Sequence, residues 1–160
     1  MNRKIPFEKI QPCLLDRLSD DSPQKSDESK NDRTISISKY RESVLRDIVW
    51  LLNTAKHTDF EDFSRLEYVD SSGLNYGVAH SCGLGLNGDS IALMERNIKR
   101  AIEKYEPRLN RRSLKVSFVK THSKSVKLGF TIEGEMWANP VPERFFVNTK
   151  VDMETGEFSL

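Results

Sequence analysis

At Glu106-Pro107-Arg108 the hydrophobic period of this chain switches from helical to alternating, and that switch limits the fold more than any other stretch does. Upstream, in residues 90–109, Ile91, Met94, Ile98, Ala101, Ile102 and Tyr105 recur at three- and four-residue intervals. They form one apolar stripe, with Glu95, Arg96, Lys99, Arg100, Glu103 and Lys104 on the opposite arc. Pro107 has no amide hydrogen and disfavours the helical region for Glu106, so the helix is predicted to end near Tyr105, with Asp89 or Ser90 as its N-cap. Downstream, Leu114, Val116 and Phe118 share one strand face, and Val126, Leu128, Phe130 and Ile132 share the next.

Residues 121–125 supply the turn between those strands, and Gly129 and Gly134 mark places for a bulge or a close backbone approach. Asn139-Pro140-Val141-Pro142 interrupts the pattern before a third strand aligns Phe145, Val147, Thr149 and Val151. Met153 to Gly156 reads as a hairpin turn into Phe158 and Leu160. That final strand is expected to be a sheet edge open to strand addition. A second amphipathic helix is expected over residues 38–55, after an extended lead-in at Ile35 and Ile37. Val44, Leu45, Ile48, Leu51, Leu52 and Ala55 lie on one face of it, and Glu42 and Arg46 form an i, i+4 pair on another. Trp50 falls outside that apolar stripe and either widens the buried face or marks a contact surface; Val49 beside it points to a helix covered on more than one side, which favours the core. The fold class is α+β: two amphipathic helices packed on a small antiparallel β-sheet that ends in a C-terminal hairpin.

Near the start, residues 12–18 form a short amphipathic turn that leaves Leu14, Leu15 and Leu18 exposed unless something covers them. Residues 19–33 contain no apolar side chain that could join a core and read as a disordered linker. Together they look like a docking peptide on a tether, or else an end that packs back on its own domain. The division expected is an N-terminal docking segment and linker over 1–33, followed by one domain over 34–160. A chain of 160 residues that is 37% hydrophobic suits a single core. No apolar run approaches the ~20 residues that span a bilayer, and no signal segment is visible, so a cytoplasmic protein without direct membrane insertion is expected. Cys13 and Cys82 are the only thiols, and no disulfide is expected between them.

Charge is balanced overall at +1 but not locally: residues 96–127 hold eleven basic side chains against two acids, Glu103 and Glu106. That segment calls for an acidic neighbour, which could be a nucleic acid, another protein or the chain's own Asp59, Glu61, Asp62, Glu67 and Asp70. Gly83-Leu84-Gly85-Leu86-Asn87-Gly88 satisfies G-x-G-x-x-G, yet no buried strand precedes it and no βαβ unit surrounds it, so no dinucleotide site is assigned. His57, His80 and His122 are dispersed, and His80 with Cys82 falls short of a zinc set, so no metal is assigned. Neither Glu67 with Asp70 nor Glu103 with Glu106 sits in the apolar setting that raises an acid's pKa, and no catalytic residue or cofactor is assigned. At the end of the long helix, Arg108 suits the partial negative charge of the last carbonyls and Glu106 does not. Two readings stay open for Glu106: a solvated carboxylate, or a fixed pair with Arg108.

Several blocks in order carry a family resemblance: Pro12-Cys13-Leu14-Leu15-Asp16-Arg17-Leu18, Leu45-Arg46-Asp47-Ile48-Val49-Trp50-Leu51-Leu52-Asn53-Thr54, Tyr76-Gly77, and Tyr105-Glu106-Pro107-Arg108-Leu109. With the C-terminal hairpin ending Val151-Asp152, they resemble TssE across nearly the whole chain. TssE is the baseplate wedge component of bacterial type VI secretion systems and is related to a small wedge protein of contractile-tailed phages. The resemblance implies a structural assembly protein despite the "lysozyme-like" label the family carries. It implies that Glu106, Pro107 and Arg108 hold the wedge core and the sheath attachment site together, and that Leu14, Leu15 and Leu18 dock on TssF and TssG, with TssK as a further candidate partner. It also implies that the C-terminal sheet starts polymerisation of the TssB-TssC sheath, in a baseplate docked on the inner membrane. The chain departs from the family in its polar linker, residues 19–33, and in its glycine run, residues 82–88. The rival classes are a peptidoglycan-cleaving enzyme and a nucleic-acid-binding domain.

Overall fold

The computed structural model describes residues 10–19, 34–57, 68–69, 72–79, 87–120, 127–138 and 142–160. The linker after Ser19, the turn at 121–125, the Asn139-Pro140-Val141 break, residues 82–86 of the glycine run and the acids Asp59, Glu61, Asp62, Glu67 and Asp70 lie outside the described residues. Helix α1 is Leu14–Leu18, α2 is Ile37–Leu52 and α3 is Gly88–Tyr105. A 3-10 turn, Gly73–Asn75, lies between α2 and α3. The strands are β1 (Lys115–Val119), β2 (Lys127–Met136), β3 (Glu143–Asp152) and β4 (Phe158–Ser159).

Capping chemistry sets the helix limits. Ser36 accepts from the Lys39 amide at the start of α2, so Ile37 opens a helix instead of extending a strand. Asn87 accepts from the Ser90 amide at 2.8 Å, which makes it the N-cap of α3 in place of the expected Asp89 or Ser90. As Pro107 requires, α3 ends at Tyr105 and Glu106 turns away with φ −118°. Helix α2 stops at Leu52, earlier than its apolar spacing suggests, because Ala55 leaves to bridge Val78 in parallel.

The four strands are antiparallel in the order β1-β2-β3-β4. Phe118 lies opposite Phe130, which lies opposite Thr149, and Val116, Ile132 and Val147 line up in the same way. All six therefore point to one face, where Val44, Ile48 and Leu51 of α2 and Met94, Ile98 and Ile102 of α3 cover them. Each such large apolar side chain contributes roughly 1.5–3 kcal/mol by leaving water. The other face carries Ser117, Thr131, Asn148 and Lys150, with Thr131 Oγ1 and Asn148 Oδ1 2.8 Å apart. Pairing between β2 and β3 runs unbroken from Lys127 to Met136, so Gly129 and Gly134 mark no bulge.

The sheet's margins differ. Successive peptide groups of an antiparallel strand point alternately to its two neighbours. On β1 the Phe118 amide points away from β2 and donates to Glu95 Oε1 of α3 at 2.6 Å. At the other margin the final strand is only two residues long, and the side-chain amide of Asn53 pairs with it as another strand would: Phe158 N donates to Oδ1 at 2.8 Å, and Nδ2 donates to Phe158 O at 3.0 Å. The last strand is the sheet edge, as expected, but Asn53 takes the outward groups of Phe158, so that position is not open to strand addition as expected. Because Asp152 N donates to Glu157 O on the β4 side, the peptide groups of Arg144, Phe146 and Asn148 face the same way, beyond the reach of β4. Among the described residues no strand pairs with them, and Arg41 Nη2 reaches Phe146 O at 3.4 Å.

A charged corner between helix, sheet and N-terminal arm

The last turn of α3 closes normally, with the Glu106 amide donating to Ile102 O at 2.9 Å. The Glu106 carboxylate then folds onto the residue beyond the proline. Its Oε1 accepts from Arg108 N at 3.1 Å and Arg108 Nε at 2.6 Å, and its Oε2 accepts from Arg108 Nη2. Glu106 is only 3% exposed, which decides for the fixed pair over the solvated carboxylate. Pro107 stands exposed at the tip, holding the bend that lets one side chain reach the other.

Arg108 has more donors than Glu106 can use, and α2 supplies the remaining acceptors. Its Nη2 donates to Asp47 Oδ2 at 2.5 Å and its Nη1 to Ser43 Oγ at 3.3 Å, while Ser43 Oγ donates to Tyr40 O. Burial would lower the pKa of this guanidinium, but the carboxylates of Glu106 and Asp47 outweigh it and raise the pKa above its ordinary value. The charge is permanent and neutralised in place.

The network continues outward. Asp47 Oδ1 accepts from Arg46 Nε at 3.0 Å, and Arg46 Nη1 donates to Asp16 Oδ1 of α1 at 2.6 Å. The Cys13 thiol donates to Asp16 Oδ2 at 3.0 Å. Burial alone would raise the Asp16 carboxyl, yet the Cys13 hydrogen bond and the Arg46 charge hold it below its usual range. Alternating charges thus run Asp16, Arg46, Asp47, Arg108, Glu106 through three elements of the fold. Arg46 therefore faces Asp16 and Asp47 in place of the expected Glu42. It also lies 5.0 Å over the ring of Trp50, which is half exposed and not the core residue expected from its neighbours.

Immediately after the corner the chain joins the sheet. Trp137 N donates to Arg108 O, and Asn110 N to Glu135 O, both at 2.8 Å, on either side of a bridge between Leu109 and Met136. The corner therefore fixes the direction in which the sheet leaves α3. On its other side it meets α1, where no residue is buried and Leu14, Leu15 and Leu18 are all exposed. Polar contacts hold α1 on the body, with a backbone bridge from Ile10 to Ile35 behind it.

Of the residues singled out from sequence, Glu106 and Arg108 meet directly, and Leu14, Leu15 and Leu18 join the same network only through Asp16. Asp16, Arg46, Asp47 and Ser43 were missed as site residues; spacing along one helix cannot reveal contacts made across the fold. Of the nominated acids, Glu103 lies 3.7 Å from Lys99, whereas Glu67 and Asp70 lie outside the described residues, as do His80, Cys82 and His122. No helix among the described residues is long and apolar enough to cross a membrane. A protein-family profile described as baseplate wedge protein gp25 matches residues 38–141, more than half of the chain, covering α2 from its second residue and all of α3, β1 and β2. No curated protein matches the chain.

Proposed function

The chain belongs to the baseplate wedge protein gp25 family, and from that premise we propose that it is the TssE subunit of a type VI secretion baseplate. It works as a structural part. Residues 1–33 form a docking segment and linker whose Leu14, Leu15 and Leu18 seat on TssF and TssG, with TssK as a further neighbour. Residues 34–160 form the wedge domain, which receives the first TssB-TssC sheath subunits. The assembly lies in the cytoplasm on a baseplate docked at the inner membrane, and the subunit itself does not insert.

The observation that carries this reading is a nearly fully buried Glu106 whose two oxygens are both engaged by Arg108. A carboxylate so engaged is poorly placed to shuttle protons to a substrate, and well placed to fix the angle between helix and sheet. The reading also uses the β3 margin beyond β4, where an added strand would gain backbone pairing at Arg144 and Asn148, and at Phe146 by displacing Arg41 from its carbonyl, and would read its register from alternate side chains.

Co-purification from cells tests it. The wild-type chain should bring down TssF and TssG, and Leu14→Asp with Leu18→Asp should lose them while the circular-dichroism spectrum stays unchanged. Arg108→Ala should weaken wedge or sheath attachment. Release of soluble muropeptides by the purified protein would support the peptidoglycan-cleaving alternative instead. Steeply salt-dependent binding of an oligonucleotide would support the nucleic-acid alternative.

A further inference from the structure

Helix α2 meets the outer margin of β3 and β4 at two points and treats them differently. Just past its C-terminal end, Asn53 uses a donor and an acceptor together: Nδ2 donates to Phe158 O at 3.0 Å, and Oδ1 accepts from Phe158 N at 2.8 Å. Both outward groups of Phe158 are taken. Toward its N-terminal end, Arg41 Nη2 reaches Phe146 O at 3.4 Å in an exposed setting, at the long limit for such a bond. A guanidinium has donors only, so it leaves the Phe146 amide unanswered. Among the described residues the Arg41 side chain holds no second acceptor that would keep it in place. On either side, Arg144 and Asn148 also turn their peptide groups outward, because the last pair with β4 is Lys150 with Ser159.

We propose that Arg41 is a latch on this margin: in the free chain it occupies Phe146 O, and an extended strand of a partner protein enters by displacing it and pairing along Arg144, Phe146 and Asn148. The latch rests on the reading of that margin as a strand acceptor and adds what controls entry to it. An incoming residue opposite Phe146 brings both an N–H and a C=O, so one long hydrogen bond gives way to two of ordinary length. The released guanidinium, on its flexible stem, turns out to water. Only a segment with a backbone N–H at that position completes the exchange, which excludes proline opposite Phe146. Asn53, bonded through both of its amide groups, is not exchanged on these terms, so entry is confined to the N-terminal half of β3.

An NMR titration of the full chain tests the proposal. The probe is a heptapeptide of alternating threonine and valine, blocked at both ends so that it carries no charge, and N-methylated on alternate amides so that only one edge can pair. The wild-type chain should bind it weakly and gain hydrogen-exchange protection at the amides of Arg144, Phe146 and Asn148. Arg41→Ala, at a helical position that alanine suits, should bind about three- to tenfold more tightly. Arg144→Ala removes a charge from the same margin without freeing Phe146 O, and should stay within about twofold of wild type. Unchanged or weaker binding by Arg41→Ala, with the wild-type chain still binding, would overturn the latch and leave the strand-acceptor reading standing. Equal tightening in Arg144→Ala would also overturn it, by assigning the gain to charge. Binding by neither the wild-type chain nor Arg41→Ala would remove the strand-acceptor reading and the latch with it.

Discussion

Arg108 and Asp47 stand 61 residues apart in the chain, and their side chains meet at 2.5 Å. This contact ties the exit of α3 to the middle of α2 and hands charge compensation on to Arg46 and Asp16. Neither Glu106 nor Asp47 alone matches the donors of Arg108. The two acids together take its Nε and Nη2 while Ser43 takes Nη1, which is why a guanidinium at the base of the corner can remain charged.

Asp47→Ala should therefore destabilise the chain by about 1–3 kcal/mol, because it strands part of a largely buried guanidinium while Glu106 still holds the rest. Urea unfolding followed by circular dichroism measures this, with the slope unchanged if only stability is altered. A change below about 0.5 kcal/mol would mean that water replaces the carboxylate without cost.

The α1 contact should depend on acidity. Asp16 has a depressed folded pKa, so its contribution is complete above the ordinary carboxylate value of ~3.9 and is lost as pH falls through the lower folded value. Arg46 couples Asp16 to Trp50, so Trp50 fluorescence in a Trp137→Phe chain should change as the pair with Asp16 breaks in acid. Asp16→Asn should abolish that transition. A transition unaltered by Asp16→Asn would assign it to another group.

Adjacent residues of β3 offer an internal comparison. Phe145 is 1% exposed and Phe146 is 49% exposed. Phe145→Ala should cost about 3–5 kcal/mol through lost burial and the cavity left behind. Phe146→Ala should stay within about 0.5 kcal/mol in the isolated chain. Thermal or urea unfolding of the two variants separates these outcomes.

Asn53→Ala removes both hydrogen bonds that close β4, at a cost of about 1–2 kcal/mol. The loss should be local: hydrogen exchange at the Phe158 amide should accelerate while amides in β2 keep their protection. Uniform acceleration through the sheet would show that Asn53 supports the whole fold.

The order of elements was legible because each period has a mechanical meaning. The stripe from Ile91 to Tyr105, the proline stop and the alternation around Phe130 and Val147 all specify which side is buried. Trp50 was misread because apolar neighbours do not reveal that an arginine will cover the ring. The limits of α2 were misread because Asn53 and Ala55 are claimed by Phe158 and Val78, contacts that only the folded chain creates. Within the site, Glu106-Pro107-Arg108 was visible as a motif, and its burial was not. Asp47 and Asp16 were hidden because their roles rest on tertiary distance, and local spacing favoured Glu42 as the partner of Arg46.

Glu95 takes the Phe118 amide on one flank of the sheet and Asn53 closes the short strand on the opposite flank, while beyond β4 the peptide groups of Arg144 and Asn148 and the amide of Phe146 have no strand partner among the described residues. A body built this way is directional. Its two flanks differ, so a strand arriving beside β3 meets a different set of backbone groups from one arriving beside β1.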